Sequence, residues 1–130
     1  MIDHRTAPYA ALLLRLTLGL LFLAHLYWKF AVRGFDAWWT GLHAAGYPTA
    51  ALIYVLCAEF AGALLLIPGI CTRWVCLFAL PLMVGAAQFW FDRNGFYFTT
   101  AGAELPILWG FALCVLALLG NGKYAVGGSR

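Results

Sequence analysis

Charged residues are scarce in this chain, at 10% of 130 residues, and the formal net charge is only +3. Soluble domains carry about a quarter charged residues, so this composition does not suit a protein surrounded by water. The basic face that binds nucleic acid is also missing, so we predict no nucleic-acid partner. No stretch has the composition of a linker or a low-complexity tract. A chain of this length without such a boundary is predicted to form one domain over residues 1–130.

The sequence motifs of several enzyme classes are absent. There is no glycine-rich loop that would cradle phosphate, no dinucleotide fingerprint and no nucleophile elbow. The four cysteines include no C-x-x-C pair, which excludes the usual motif of a dithiol exchanger. A close approach of the two cysteines nearest in sequence, Cys71 and Cys76, stays open. Nothing in the chain therefore supplies complete catalytic machinery, and whether the protein is itself an enzyme stays open.

Metal-ligating residues are few and poorly spaced. The three histidines are His4, His25 and His43, and no two of them share a predicted helix at a spacing that suits a metal. Catalytic zinc normally takes three protein ligands, and no such set converges here. We therefore predict no metal site. A haem held between His25 and His43 remains a weak alternative.

Long apolar runs fill most of the chain, and apolar residues make up 65% of it. Four runs stand out, at residues 8–30, 49–68, 73–91 and 104–119. As helices they would be roughly 24 to 33 Å long, which matches a hydrocarbon core of about 30 Å. Pro81 lies inside the third run, where we predict a kink. The sequence thus predicts an all-α membrane protein, an antiparallel bundle of four transmembrane helices.

The connection between the first two runs has the pattern of a short amphipathic helix. Its apolar residues recur at helical spacing, and we predict that Asp36 caps its start and Gly46 ends it. Tryptophans on such a helix lie at the level of the lipid headgroups. The apolar positions are Phe35, Trp38, Trp39 and Leu42. We therefore predict an interfacial helix between spans one and two.

The distribution of basic residues predicts the orientation in the membrane. With four spans both termini lie on one side, and that side has four basic residues against three on the other. The positive-inside rule then places both termini in the cytoplasm, in what we expect to be a bacterial inner membrane. The four are Arg5, Arg73, Lys123 and Arg130, and the three are Lys29, Arg33 and Arg93.

Two charged residues lie inside the first two apolar runs, Arg15 in the first and Glu59 near the middle of the second. Charges at membrane depth are costly and tend to face a partner or a water-filled cavity. A guanidinium side chain is long enough to reach a carboxylate on a neighbouring helix, so we predict an Arg15–Glu59 pair. Such a pair has two interpretations that stay open: it locks the two helices together, or it handles a proton or a ligand.

A second polar group is predicted where the helices end on the side opposite the termini. His25 and Lys29 are four residues apart and share a face of the first span. Gln88 near the end of span three and Glu104 at the start of span four would lie at the same level. We predict that an aromatic lid covers them; its members would be Trp38, Trp39 and Phe96. For Lys29 the plainer interpretation is that its side chain snorkels to the interface.

The order of several short motifs resembles the DoxX family of small four-helix membrane proteins. The resemblance covers nearly the whole chain. Its pieces are Arg15-Leu16-x-Leu18-Gly19-Leu20-Leu21-Phe22 with His25 and Lys29-Phe30, then Gly34-Phe35, Gly46-Tyr47-Pro48, Glu59-Phe60-x-Gly62 through Pro68-Gly69-x-x-Thr72-Arg73, Asn94-Gly95-Phe96 and Glu104-Leu105-Pro106. One departure is Ala103, where such sequences commonly have an aromatic residue before the acidic one.

The resemblance implies a role beside membrane oxidoreductases, since members of the family include a subunit of a thiosulfate:quinone oxidoreductase. It also implies candidate site residues; these are Arg15, His25, Lys29, Glu59 and Glu104. Distant relatives act as assembly chaperones for membrane proteins.

The resulting hypothesis is an integral membrane subunit or accessory protein of a redox system, with a quinone-like ligand in a polar pocket inside the bundle. Its partners would be the lipid bilayer, a protein in the same membrane complex and, as an open possibility, a second copy. The alternative is a non-catalytic chaperone or scaffold. A transporter is disfavoured because four short helices leave little room for alternating access.

Overall fold

The computed structural model describes residues 1–128 and is helical, with no strand in that range. Two of its helices continue as π-helical segments, Trp28–Val32 after the first and Gly62–Leu66 after the third, and a short 3₁₀ turn covers Phe98–Thr100. Arg130, one of the basic residues counted for orientation, lies outside the described residues. The α-helices are α1 (Ala7–Tyr27), α2 (Phe35–Ala44), α3 (Thr49–Ala61), α4 (Thr72–Asn94) and α5 (Glu104–Leu119).

Local sequence explains where several of these helices begin and end. Pro8 lies in the first turn of α1, where its missing N–H group costs nothing. Gly34 precedes α2 and Gly46 follows it, with φ values of +89° and +99° that favour glycine. The prediction that Asp36 caps α2 was wrong. The helix starts at Phe35 and Asp36 makes no capping hydrogen bond, because Gly34 already turns the chain into the helix.

The four longer helices form a ring of contacts in which α1 packs against α3 and α5, and α4 packs against α5 and α3. Helices α1 and α3 run in opposite directions, since Gly19 lies against Leu66 while Phe22 lies against Gly62. A Cβ atom on Gly62 would come within 2.3 Å of the Phe22 ring. Glycine at this position therefore lets the two helices approach closely, and this contact sets their register.

The outside of the bundle is as apolar as its core. Phe22, Leu66, Leu113 and Leu116 are fully buried in one cluster, whereas Leu118 is 83% exposed. Three helical stretches are long and apolar enough to cross a membrane; these are Ala7–Val32, Thr49–Leu66 and Thr72–Asn94. Helix α5 is apolar but only 16 residues long. Within residues 1–128 the structure thus confirms an all-helical protein with three helical stretches long and apolar enough to cross a membrane, and the four-span bundle stays a prediction.

Helix α4 stays helical through Pro81, where we predicted a kink. A proline leaves part of the helical hydrogen-bond ladder open. The Tyr54 hydroxyl from α3 enters this place: it accepts the Leu82 N–H at 3.1 Å and donates to the Phe78 carbonyl. One side chain therefore bridges two backbone groups that would otherwise bond to each other in a regular helix, and it ties α3 to α4.

We expect Tyr54→Phe to destabilise the protein by about 1 kcal/mol, because both hydrogen bonds of the hydroxyl are lost. Unfolding of the purified protein in mixed detergent micelles measures the difference. The matched control is Tyr97→Phe, which removes a hydroxyl from a side chain that is 68% exposed. Equal stabilities of the two variants would show that the bridge to α4 contributes nothing.

Candidate functional site

The side chain of Arg15 is buried but does not reach Glu59. Its Nη1 donates to the carbonyl oxygens of Leu66 and Ile67, at 3.1 and 2.9 Å, and its Nη2 donates to that of Lys123 at 2.9 Å. The predicted Arg15–Glu59 pair was therefore wrong. The antiparallel register places Arg15 beside the end of the π segment after α3, where helical carbonyls lack partners. Glu59 lies eight residues before Ile67, which is about 12 Å away along the helix.

Glu59 pairs instead with Lys29. The Lys29 Nζ donates to both carboxylate oxygens, at 2.5 and 2.6 Å, and this is the one ion pair within residues 1–128. Lys29 is 4% exposed and Glu59 is 5% exposed. The prediction that Lys29 snorkels was wrong, because a carboxylate on the neighbouring helix lies within its reach and satisfies the ammonium inside the bundle.

Both members of the pair lie at irregular places in their helices. Lys29 is part of the π segment after α1, and the second π segment starts at Gly62, three residues beyond Glu59. The Gly62 N–H donates to the carbonyls of both Ala58 and Glu59. Single π turns inside α-helices occur frequently at functional sites. Their presence on both helices beside one buried ion pair marks this place as the candidate site.

Trp38 of α2 covers the ammonium. It is buried, and the Lys29 Nζ lies 5.1 Å from the centroid of its ring, so a cation–π contact adds to the ion pair. Helix α2 packs against the π segment after α1 and against α3, which holds the tryptophan in place. Trp38, which we predicted as part of an aromatic lid, thus lies over Lys29.

A group of aromatic rings continues from Trp38 to the surface, and we call it the aromatic cluster. Phe30 stacks on Phe35 at 5.2 Å and lies 6.3 Å from Phe60. Phe30 and Phe60 directly follow Lys29 and Glu59 in sequence, and their side chains are 48% and 43% exposed. The cluster consists of Phe30, Phe35, Trp38, Trp39 and Phe60.

Four other predicted site residues lie elsewhere and make no hydrogen bond to the pair. His25 is exposed, its Nδ1 donates to the Leu21 carbonyl at 3.0 Å, and its ring contacts Trp109 edge-on. Gln88 is exposed on α4. Glu104 accepts the Phe98 N–H at 3.0 Å and so orders its own loop. Phe96 contacts Tyr97 instead of the tryptophans.

Two recesses on the surface lie away from the ion pair. One recess is lined by residues between His4 and Ala11 and by Leu119, Gly122 and Lys123. Another lies between α4 and α5 beside Arg73 and Cys114. Within residues 1–128, no three histidine, cysteine or acidic side chains lie close enough together to hold a metal ion. The chemistry available at the site is therefore that of a covered ion pair behind aromatic rings.

Sequence reasoning identified Lys29, Glu59 and Trp38 separately but missed that they meet. One signal was available: Lys29-Phe30 and Glu59-Phe60 are two doublets of a charged residue followed by phenylalanine. When the two charges pair, the two rings come to lie side by side at the surface. Sequence reasoning also missed that Arg15 bonds to backbone carbonyls, since no sequence motif announces which carbonyls lack partners.

One of three comparisons with known proteins found a match. The DoxX family model matches residues 10–93, more than half of the chain, and this range includes Arg15, Lys29 and Glu59. No curated protein matches the chain, and neither does any solved structure. Because the family model covers most of the helical bundle and the whole candidate site, this chain belongs to the DoxX family of membrane proteins.

Proposed function

We propose that this protein is an integral membrane subunit or accessory protein of a redox system and that it binds a quinone-like ring at the aromatic cluster. The observation that carries the proposal is the buried Lys29–Glu59 pair directly behind aromatic rings that are open toward lipid. Ionisable groups inside a membrane protein mark functional sites by default. The proposal moves the ligand from a pocket inside the bundle to its lipid-facing surface, because the exposed rings of Phe30 and Phe60 lie beside the pair.

The two parts of the site suit the two parts of a quinone. A planar ring packs against the exposed parts of Phe30 and Phe60, which are 48% and 43% exposed. In the ligand-bound state Trp38 moves aside from the Lys29 ammonium, and a quinone oxygen at the edge of the cluster accepts a hydrogen bond from that ammonium. Reduction of a quinone takes two electrons and two protons. In this proposal this chain holds the quinone, and the partner oxidoreductase supplies both electrons and both protons.

Titration of the purified protein with a short-chain ubiquinone analogue tests the proposal, with quenching of tryptophan fluorescence as the readout. We expect saturable quenching, and we expect Phe60→Ala and Glu59→Gln each to weaken binding about tenfold. Phe111→Ala is the control, since Phe111 is an exposed aromatic residue on α5, 67% exposed, outside the cluster. Quenching that does not saturate, or equal affinity of Phe60→Ala and Phe111→Ala, would contradict quinone binding here.

A chaperone or scaffold role is the second candidate, and the covered state of the ion pair favours it. A buried ion pair covered by a tryptophan ring can act purely as a structural lock between α1 and α3. Large outward-facing rings such as Trp74 on α4, 70% exposed, offer contact surface to a protein partner. Cross-linking in membranes followed by affinity purification discriminates between the roles. A scaffold keeps its partner in Glu59→Gln and loses it in Trp74→Ala, whereas a redox subunit loses quinone-dependent activity of the complex in Glu59→Gln.

The orientation in the membrane also belongs to the proposal. We place the protein in a bacterial inner membrane with four spans and cytoplasmic termini. Since Lys29 is neutralised inside the bundle, it no longer counts among the basic residues of the loop side. Arg33 and Arg93 remain there, against Arg5, Arg73, Lys123 and Arg130 on the side of the termini. The difference in basic residues is thus larger than the sequence count suggested, and the positive-inside rule applies more clearly.

A further inference from the structure

A recess lies at the end of the bundle where the two termini meet, far along the helices from the aromatic cluster. Its walls are the first turns of α1, the end of α5 and the segment that follows α5. Two basic side chains and an apolar floor line it. The lining residues are His4, Ala7, Pro8, Ala11, Leu119, Gly122 and Lys123.

Backbone contacts hold this recess in shape. The Lys123 N–H donates to the Pro8 carbonyl at 3.2 Å, and the Lys123 carbonyl accepts from buried Arg15. Gly122 has φ +73°, and a Cβ atom there would lie 2.7 Å from the Pro8 carbonyl oxygen. Glycine therefore allows the C-terminal segment to lie directly on α1. The backbone of Lys123 is fixed on both sides, while its side chain is exposed.

The charge around the recess is unbalanced. The Lys123 Nζ lies 5.8 Å from the centroid of the Tyr9 ring, and within residues 1–128 it has no carboxylate partner. Asp3, the acidic residue nearest in sequence to His4, accepts the backbone N–H of Arg5. The backbone N–H groups at the start of α1 donate hydrogen bonds to the carbonyls of Asp3 and Thr6. The positive character therefore comes from side chains and not from the helix terminus.

We propose that this recess binds the headgroup of an anionic phospholipid. The phosphate lies between the Lys123 ammonium and the His4 ring, which supply a charge and a hydrogen-bond donor. The start of an acyl chain lies on the apolar floor formed by Ala11 and Leu119. Juxtamembrane basic residues attract anionic lipids in general. Here the recess adds a defined position, and this inference is independent of the proposed quinone site.

Native mass spectrometry of the full chain in neutral detergent tests the proposal, with phosphatidylglycerol and phosphatidylcholine offered in equal amounts. We expect wild type to retain phosphatidylglycerol preferentially. We expect Lys123→Ala to lose about fivefold in retention and the double variant His4→Ala/Lys123→Ala to lose the preference. Arg93→Ala is the matched control, because it removes a cation from the opposite end, where Arg93 stacks on Phe89. The substituted side chains, those of His4, Lys123 and Arg93, are exposed, so we expect the variants to fold.

The remaining outcomes overturn the proposal in distinct ways. Equal retention of the two lipids by wild type, or an unchanged preference in the double variant, would show that the recess binds no headgroup. Displacement of the lipid by millimolar inorganic phosphate would show a site for soluble phosphate instead. Loss of the preference in Arg93→Ala would show that total charge decides it and that the recess does not.

Discussion

Replacing Glu59 by leucine is expected to destabilise the protein by about 3–5 kcal/mol, because it leaves the Lys29 ammonium buried without a partner. Lys29 is only 4% exposed, and Trp38 covers it, so water cannot replace the lost carboxylate without opening the bundle. Lys29→Met instead leaves the Glu59 carboxylate buried without a partner, and we expect it to destabilise the protein to a similar extent. Reversible unfolding in mixed detergent micelles measures both variants.

The double variant Lys29→Met/Glu59→Leu separates the pair from its environment. When both charges are replaced by apolar side chains, no unpaired charge remains, and buried pairs replaced in this way are often neutral in stability. We expect the double variant to be more stable than either single variant. A double-mutant cycle then gives the coupling between the two residues. Additive losses would contradict a direct Lys29–Glu59 interaction.

Replacing Arg15 by leucine is expected to have the second large effect. We expect the free energy of unfolding to fall by about 3–5 kcal/mol, because hydrogen bonds from a charged group are lost. The guanidinium donates to three carbonyls, those of Leu66, Ile67 and Lys123. Without it the end of the π segment after α3 and the C-terminal segment lose their common donor. Arg15→Lys keeps the charge but not the planar fork, so we expect an intermediate loss.

Hydrogen exchange distinguishes this effect from a general loss of stability. The Lys123 and Val126 amides donate to the carbonyls of Pro8 and Pro68, so they report whether the C-terminal segment stays on the bundle. We expect Arg15→Leu to expose these two amides under conditions where the core of α4 stays protected. Glu59→Leu serves as the control, because its site lies about 12 Å along the helix from the end that Arg15 holds. Protected amides in Arg15→Leu would mean that other contacts hold the segment.

Asn121 contributes to the same end of the bundle, and its role was not visible in sequence. It is 4% exposed, its Oδ1 accepts the Thr72 N–H at 3.2 Å, and its Nδ2 donates to the Gly128 carbonyl at 2.8 Å. The amide thus satisfies the start of α4 and holds the C-terminal segment at once. In sequence, Gly120-Asn121-Gly122 has only the pattern of a turn, because a short polar residue between glycines is typical of turns.

The apolar runs of the sequence by themselves determined the helices and their approximate bounds. Residues 8–30, 49–68, 73–91 and 104–119 correspond to α1, α3, α4 and α5, because the length of an apolar run and the glycine and proline residues beside it are local properties. The short helix α2 follows from its spacing of aromatic residues in the same way. The order of short motifs likewise indicated membership of the DoxX family, which the family model confirms.

Only the tertiary structure decided which charges meet. Sequence placed Arg15 and Glu59 at membrane depth, and a pair between them was the simplest solution. The register of α1 against α3 instead depends on the contact between Phe22 and Gly62, which brings Lys29 level with Glu59. Arg15 then lies opposite free carbonyls, one of them more than 100 residues later in the chain. Such partners follow from packing between distant segments, and no local pattern encodes them.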